Sequence, residues 1–165
     1  PSEEEERRMY EDTETILSDY GFHRYEISNY AKEGYACRHN IGYWKRVDYA
    51  GFGLGASALQ NPLRYKNTDD LQEYLNHDFS KKELLVLTKD NQIEETMFLG
   101  LRMMAGVSEQ EFYQRFGVPM MEVYGDIIKK YQNMDLLCRR DTGRVALTEK
   151  GIDVSNSILS DFLLN

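Results

Sequence analysis

Apolar residues recur at helical spacing through the first twenty positions. Met9, Ile16, Leu17 and Tyr20 follow an acidic opening run and Gly21 stops the pattern, which predicts a helix over 3–20. His23, Tyr25 and Ile27 then alternate with Phe22, Arg24, Glu26 and Ser28, the period of one short strand with Tyr25 and Ile27 on one face. Helix, tight turn and strand in that order suit an αβ unit of a parallel sheet.

Helical periodicity lapses over 31–68, where five glycines (Gly34, Gly42, Gly51, Gly53, Gly55) alternate with aromatic residues. A loop of that length inside a compact domain is usually functional. "LRYKNTDDLQEYL" then reads as a strand followed by a helix that Thr68 caps, with Asp69 and Asp70 in its first turn. "ELLVLTKDN" is a strand ending in a polar turn. Asn91 and Glu94 stand at capping-box spacing around a helical stripe of Ile93, Met97, Leu101 and Met104. Ser108 with Glu111 is a second box, with Val107 and Phe112 placed as a staple and Gly117 as terminator. Pro119 opens a helix carrying Met120, Val123, Tyr124, Ile127 and Tyr131. Asp141-Thr142-Gly143 turns a hairpin, and a last helix after Thr148 points Ile152, Ile158 or Leu159, and Phe162 inward. Helix, helix, hairpin, helix is the order of a winged helix.

Charge decides what such a module is expected to do. The chain has 28 acidic against 20 basic residues, and residues 91–165 hold eight Lys and Arg against eleven Asp and Glu. Phosphate backbones and anionic lipid are repelled, so a packing or partner-docking module is expected, with no nucleic-acid partner. At 165 residues and 41% hydrophobic content, one ordinary domain or two small ones can bury a real core. No apolar run approaches the ~18 residues of a membrane span, so an integral membrane protein is not expected. The opening "PSEEEERR", acidic and without an initiator Met, does not read as a signal peptide. It reads as a helix cut partway, so the chain is expected to be a fragment of a longer cytoplasmic protein. Cys37 and Cys138 are far apart and free of any CxxC. Two such thiols are expected to be reduced, and cannot by themselves ligate an iron–sulfur cluster.

The chemistry concentrates in "CRHNIGYWKR". His39 carries a ring nitrogen able to ligate iron or zinc, and a Gly-flanked loop would expose it. Tyr43 and Trp44 supply flat faces for a planar macrocycle, and Arg38, Lys45 and Arg46 could pair with its carboxylates. The bland alternatives are a hydrogen-bonded structural histidine and a solvated cationic edge. In "AGFGLGASA", Gly51, Gly53 and Gly55 would leave one bare face in an extended chain, either for tight packing or as a ligand wall. His23 and His77 read as structural. The acidic pairs Asp69-Asp70 and Glu94-Glu95 are explained by first-turn helix dipoles.

"YEISNYAKEGYACRHNIGYW", "GFGLGASA" and "EETMFLGLRM" resemble the radical-SAM family that includes oxygen-independent coproporphyrinogen III oxidase, and within it the HemW heme-chaperone branch. The resemblance implies an α+β chain: residues 1–60 closing a partial (β/α)6 barrel, 61–90 connecting, and 91–165 forming a mostly helical, winged-helix-like C-terminal domain. It implies heme binding by His39, Asn40, Tyr43 and Trp44, with His39 on the iron, and passage of heme to an acceptor protein. It places Gly53, Gly55, Ala56 and Ser57 near S-adenosylmethionine. The full-length parent would also hold a [4Fe-4S] cluster, whose CxxxCxxC ligands are absent here, so the fragment itself would be inactive. The alternative activity is that of the oxidase. The family usually has Pro where this chain has Glu33 and Leu54, and His where it has Ser57, which removes a second imidazole.

Overall fold

The computed structural model describes residues 1–78 and 80–164. Helix α1 (Glu3–Asp19) begins where Ser2 and Glu5 close a capping box and ends before Gly21, whose φ of 77° suits glycine. Its apolar stripe of Met9, Tyr10, Ile16 and Tyr20 stays exposed.

The single strand expected next is two. Strands β1 (His23–Glu26) and β2 (Asn29–Ala31) pair antiparallel across a tight turn. The cause is Glu26. Its fully buried carboxylate accepts from the Ser28 backbone N–H and the Asn29 amide, which folds the chain back where alternation alone suggested that it ran on. No αβ unit of a parallel sheet forms here, because every strand pairing among the described residues is antiparallel.

The aperiodic stretch hides a helix, α2 (Arg38–Trp44). After it, β3 (Ser57–Gln60), β4 (Leu63–Asn67) and β5 (Lys81–Val86) form a meander in the order β3-β4-β5. Helix α3 (Leu71–Leu75) crosses between the last two strands. Its cap is Asp70 rather than Thr68: the Asp70 carboxylate accepts from the Gln72 and Glu73 N–H groups, while the buried Thr68 hydroxyl donates to Glu73.

The remainder alternates α4 (Lys89–Gly100), β6 (Val107–Ser108), α5 (Glu109–Phe116), α6 (Met120–Asn133), β7 (Leu137–Arg140), β8 (Arg144–Leu147), α7 (Glu149–Asp153) and α8 (Ser155–Ser160), with sheet order β6-β8-β7. Helix α4 starts one turn earlier than expected, because Thr88 and Asn91 make the capping box and Glu94 plays no part in it. Ser108 caps α5, Val107 and Phe112 are both buried, and Gly117 ends the helix in the left-handed region. The expected last helix breaks in two at Val154.

One core joins these helices: Met97 and Leu101 of α4, Phe112, Tyr124 and Ile128 of α5 and α6, Val145 of β8, and Ile158 and Phe162 at the end. Ile27, at the β1–β2 turn, enters the same core. The hairpin is fastened there by the backbone: Ile27 N–H donates to Arg102 C=O, and Met104 N–H donates to Tyr25 C=O.

Two glycines separate backbone conformation from packing space. Gly106 and Gly117 have φ of 68° and 72°, but a Cβ on Gly106 would lie 2.1 Å from the Val145 carbonyl oxygen, while Gly117 faces open space. Gly117→Ala is expected to cost about 1 kcal/mol from left-handed strain alone. Gly106→Ala adds overpacking and is expected to cost about 3 kcal/mol. Urea denaturation of the two variants checks the difference.

Candidate functional site

His39, Asn40, Tyr43 and Trp44 make two pairs, each four residues apart, on the single helix α2. Residues at i and i+4 share a face, so each pair shares one, and the two faces point about 100° apart round the axis. The loop expected to carry His39 is therefore a helix, and the motif spacing has a geometric reason.

His39 and Tyr43 form the outward pair. His39 is exposed, and its ring packs edge-on against Tyr43 with centroids 4.6 Å apart. Tyr43 packs the same way on Tyr49, at 4.6 Å. Neither nitrogen of His39 has a hydrogen-bond partner among the described residues. A lone pair on an open face, with the ring steadied by an aromatic neighbour, is what coordination of a metal in a planar ligand requires.

Asn40 and Trp44 form the inward pair. The Asn40 amide donates to the Tyr25 hydroxyl at 3.2 Å. Trp44 lies under the Arg102 guanidinium, 4.5 Å from the ring centroid, so one of its faces is already occupied. Arg102 in turn approaches the buried Glu26 carboxylate at 3.9 Å. This pair anchors α2 to β1 and to the segment after α4.

The C-terminal end of α2 is locked by charge. Arg46 adopts φ 53°, rare for a residue with a side chain, and is 2% exposed. Its Nε donates to Glu95 at 2.7 Å and its Nη2 to the Asn61 side chain at 3.1 Å. Arg64 of β4 donates to both oxygens of Glu95, at 2.6 and 2.9 Å. Glu95 thus sits mid-helix in α4 and is buried, which corrects its assignment to a first-turn dipole role. Arg46 is equally withdrawn from the pool of cations expected to meet ligand carboxylates. Sequence inspection missed both: Glu95 lies about 200° round the helix from Ile93 and Met97, off the apolar stripe, so no local pattern marks it.

The glycine-rich segment is a folded loop rather than an extended strand. Gly53 and Gly55 have φ of 93° and 66°, and the Asn67 amide donates to the carbonyls of Gly51 and Gly53. Gly55 N–H donates to Thr68 C=O and Ala56 C=O accepts from Asn67 N–H, so most of this backbone is already hydrogen-bonded. Ser57, exposed, begins β3. The loop meets α2 indirectly: Leu59 of β3 exchanges backbone hydrogen bonds with Tyr49, the residue under Tyr43.

Cys37 is exposed and Cys138 half-buried, both free. Among the described residues no group of three His, Cys, Asp or Glu could hold a metal ion, so a cluster does not fit this chain's own donors. Among the described residues no helix is long and apolar enough to cross a membrane.

Comparison with known proteins gives this geometry relatives. Residues 87–154 match the HemN C-terminal domain family. The heme chaperone HemW of Lactococcus lactis is 38% identical over 100% of this chain and 44% of its own length. That of Bacillus subtilis is 34% identical over 99% of this chain and again 44% of its length. The chain therefore spans less than half of these relatives. Among solved structures, coproporphyrinogen III oxidase (HemN) of Escherichia coli, a radical SAM enzyme, superposes with a TM-score of 0.74 at 15% identity, covering 99% of this chain and 42% of that one. That likeness concerns the fold, a mixed α/β architecture.

Burial pushes the Glu95 carboxyl up, but hydrogen bonds from Arg64 and Arg46 outweigh it, and the net direction is below the ordinary 4.5. Stability from this depressed group is present above 4.5 and is lost as pH falls through the folded-state value. Glu95→Gln is expected to cost about 3 kcal/mol near neutral pH, by leaving two guanidiniums short of a counter-charge. Denaturation repeated in acid checks the sign, since the gap between the two proteins should narrow there.

Proposed function

The chain belongs to the family of HemW heme chaperones and HemN-like proteins, and from that premise we propose that it is the heme-presenting part of a heme chaperone. The observation that carries the proposal is His39, exposed on α2 with both ring nitrogens unengaged and its ring set against Tyr43. In this reading a neutral His39 nitrogen donates its lone pair to the iron of the cargo, and Tyr43 limits rotation of the imidazole. Asn40 and Trp44 act from the adjoining face by holding α2 at a fixed angle to β1 and Arg102. A single side-chain ligand on an open helix face favours exchange, which suits handing heme to an acceptor protein.

The same reading gives residues 1–60 as the end of a radical-SAM barrel, 61–90 as its connection, and 91–165 as a winged-helix-like domain in a cytoplasmic protein. A [4Fe-4S] cluster and S-adenosylmethionine would belong to the longer parent. The donor set of this chain does not suit the cluster. Gly53, Gly55, Ala56 and Ser57 would adjoin the adenosyl ligand, with the bare Gly53 and the exposed Ser57 hydroxyl as the parts still free to meet it.

Titrating hemin into the protein and into His39→Ala tests the assignment. The wild-type Soret band is expected to move to the position of an imidazole-ligated iron, and the variant should keep the free-hemin band. Superimposable spectra would remove His39 as the ligand. Tyr43→Ala is expected to keep the ligated band while weakening binding by about threefold, the scale of one aromatic packing contact.

A further inference from the structure

On the Trp44 side of α2, away from His39, the chain leaves a cleft of about 370 Å³ between the end of α2 and the segment 96–115. That size lies within the range of sites for small organic ligands. Its apolar walls come from Val47, Met103, Val107 and Phe112. Its polar lining is dominated by donors. The Lys45 and Arg115 side chains both reach it, and neither has a hydrogen bond or ion pair among the described residues. Trp44 also lines it, and its indole N–H is shut off from solvent with no acceptor. The third cation, Arg144, is already engaged with the Ala105 and Gly106 carbonyls and faces Glu111, the one acid of the lining, at 3.6 Å.

Two unpaired cations and an unpaired N–H in a mostly apolar cleft call for an acceptor that carries its own apolar body. Burial pushes the Arg115 guanidinium down from its ordinary value and the nearby Arg46 charge pushes the same way; Asp48 and Glu95 offset this only in part, and neither forms an ion pair with it.

We propose that this cleft is a binding site for a small organic carboxylate, with Arg115 and Lys45 on the anionic head and Val47, Met103, Val107 and Phe112 around the apolar body. A charge-assisted pair to a guanidinium supplies the orientation, and area burial supplies the rest. The site does not use His39 and stands whether or not that residue takes iron.

Trp44 is the sole tryptophan, so its emission reports occupancy directly. Octanoate, octanol and inorganic phosphate, all transparent where Trp44 emits, are titrated separately into the heme-free protein. Octanoate should shift and saturate the emission, while octanol and phosphate should bind at least about tenfold more weakly, the scale of one charged hydrogen bond. Arg115→Gln should weaken octanoate by about tenfold, Arg115→Lys by less, and Lys129→Gln, which removes a cation on α6, not at all. Equal binding of octanol would reduce the cleft to an apolar crevice. Equal binding of phosphate, an unchanged Arg115→Gln, or silence with octanoate would each overturn the assignment.

Discussion

One buried carboxylate holds together three segments that the sequence keeps far apart. Glu95 of α4 receives Arg46, just past α2, and Arg64, on β4. Desolvating one acid and most of one guanidinium is unfavourable in itself, and the site is tolerable because every Glu95 oxygen is hydrogen-bonded, although two guanidiniums face the one carboxylate and Arg46 Nη1 has no partner among the described residues. The left-handed backbone at Arg46 is sustained by the same contacts. This junction fixes the chain just past α2 against the helical core, and together with the Trp44–Arg102 contact it sets the orientation of what α2 displays.

That orientation gives the motif its meaning. A helix of seven residues is too short to persist alone, so its geometry is imposed by what it packs on. Asn40 and Trp44 pack inward on Tyr25 and Arg102, whereas His39 and Tyr43 are left outward. Anchoring and presentation are thus done by alternate pairs on adjoining faces. Trp44 further separates an outward histidine face from a cationic cleft on its own side.

Legibility from sequence followed how local the causes were. Helices α1, α5 and α6, the Asp141-Gly143 turn and the Gly117 stop depend on caps, periodicity and turn residues a few positions apart, and these were readable. Helix α2 was not, since its "RHNIGYW" has no apolar stripe and buries no residue completely. The β1–β2 hairpin was read as one strand because its turn is made by a buried acid rather than by a glycine. His39, Tyr43 and Trp44 were identified as chemistry-bearing, but their division between two faces required the helix. Glu95 and Arg46 were misassigned because partners 49 residues apart leave no trace in local pattern. Glu95 stands off the stripe of Ile93, Met97 and Leu101, so in the pattern it reads as a solvated charge.

The division of α2 into a presenting face and an anchoring face can be read in one NMR experiment. Gallium(III) protoporphyrin, diamagnetic and able to accept an axial nitrogen, is added to ¹⁵N-labelled protein while the ring nitrogens of the three histidines and the single indole N–H are followed. The His39 ring nitrogens should move strongly, with those of His23 and His77 and the Trp44 indole N–H staying in place. Movement of the Trp44 indole with a stationary His39 would contradict the account.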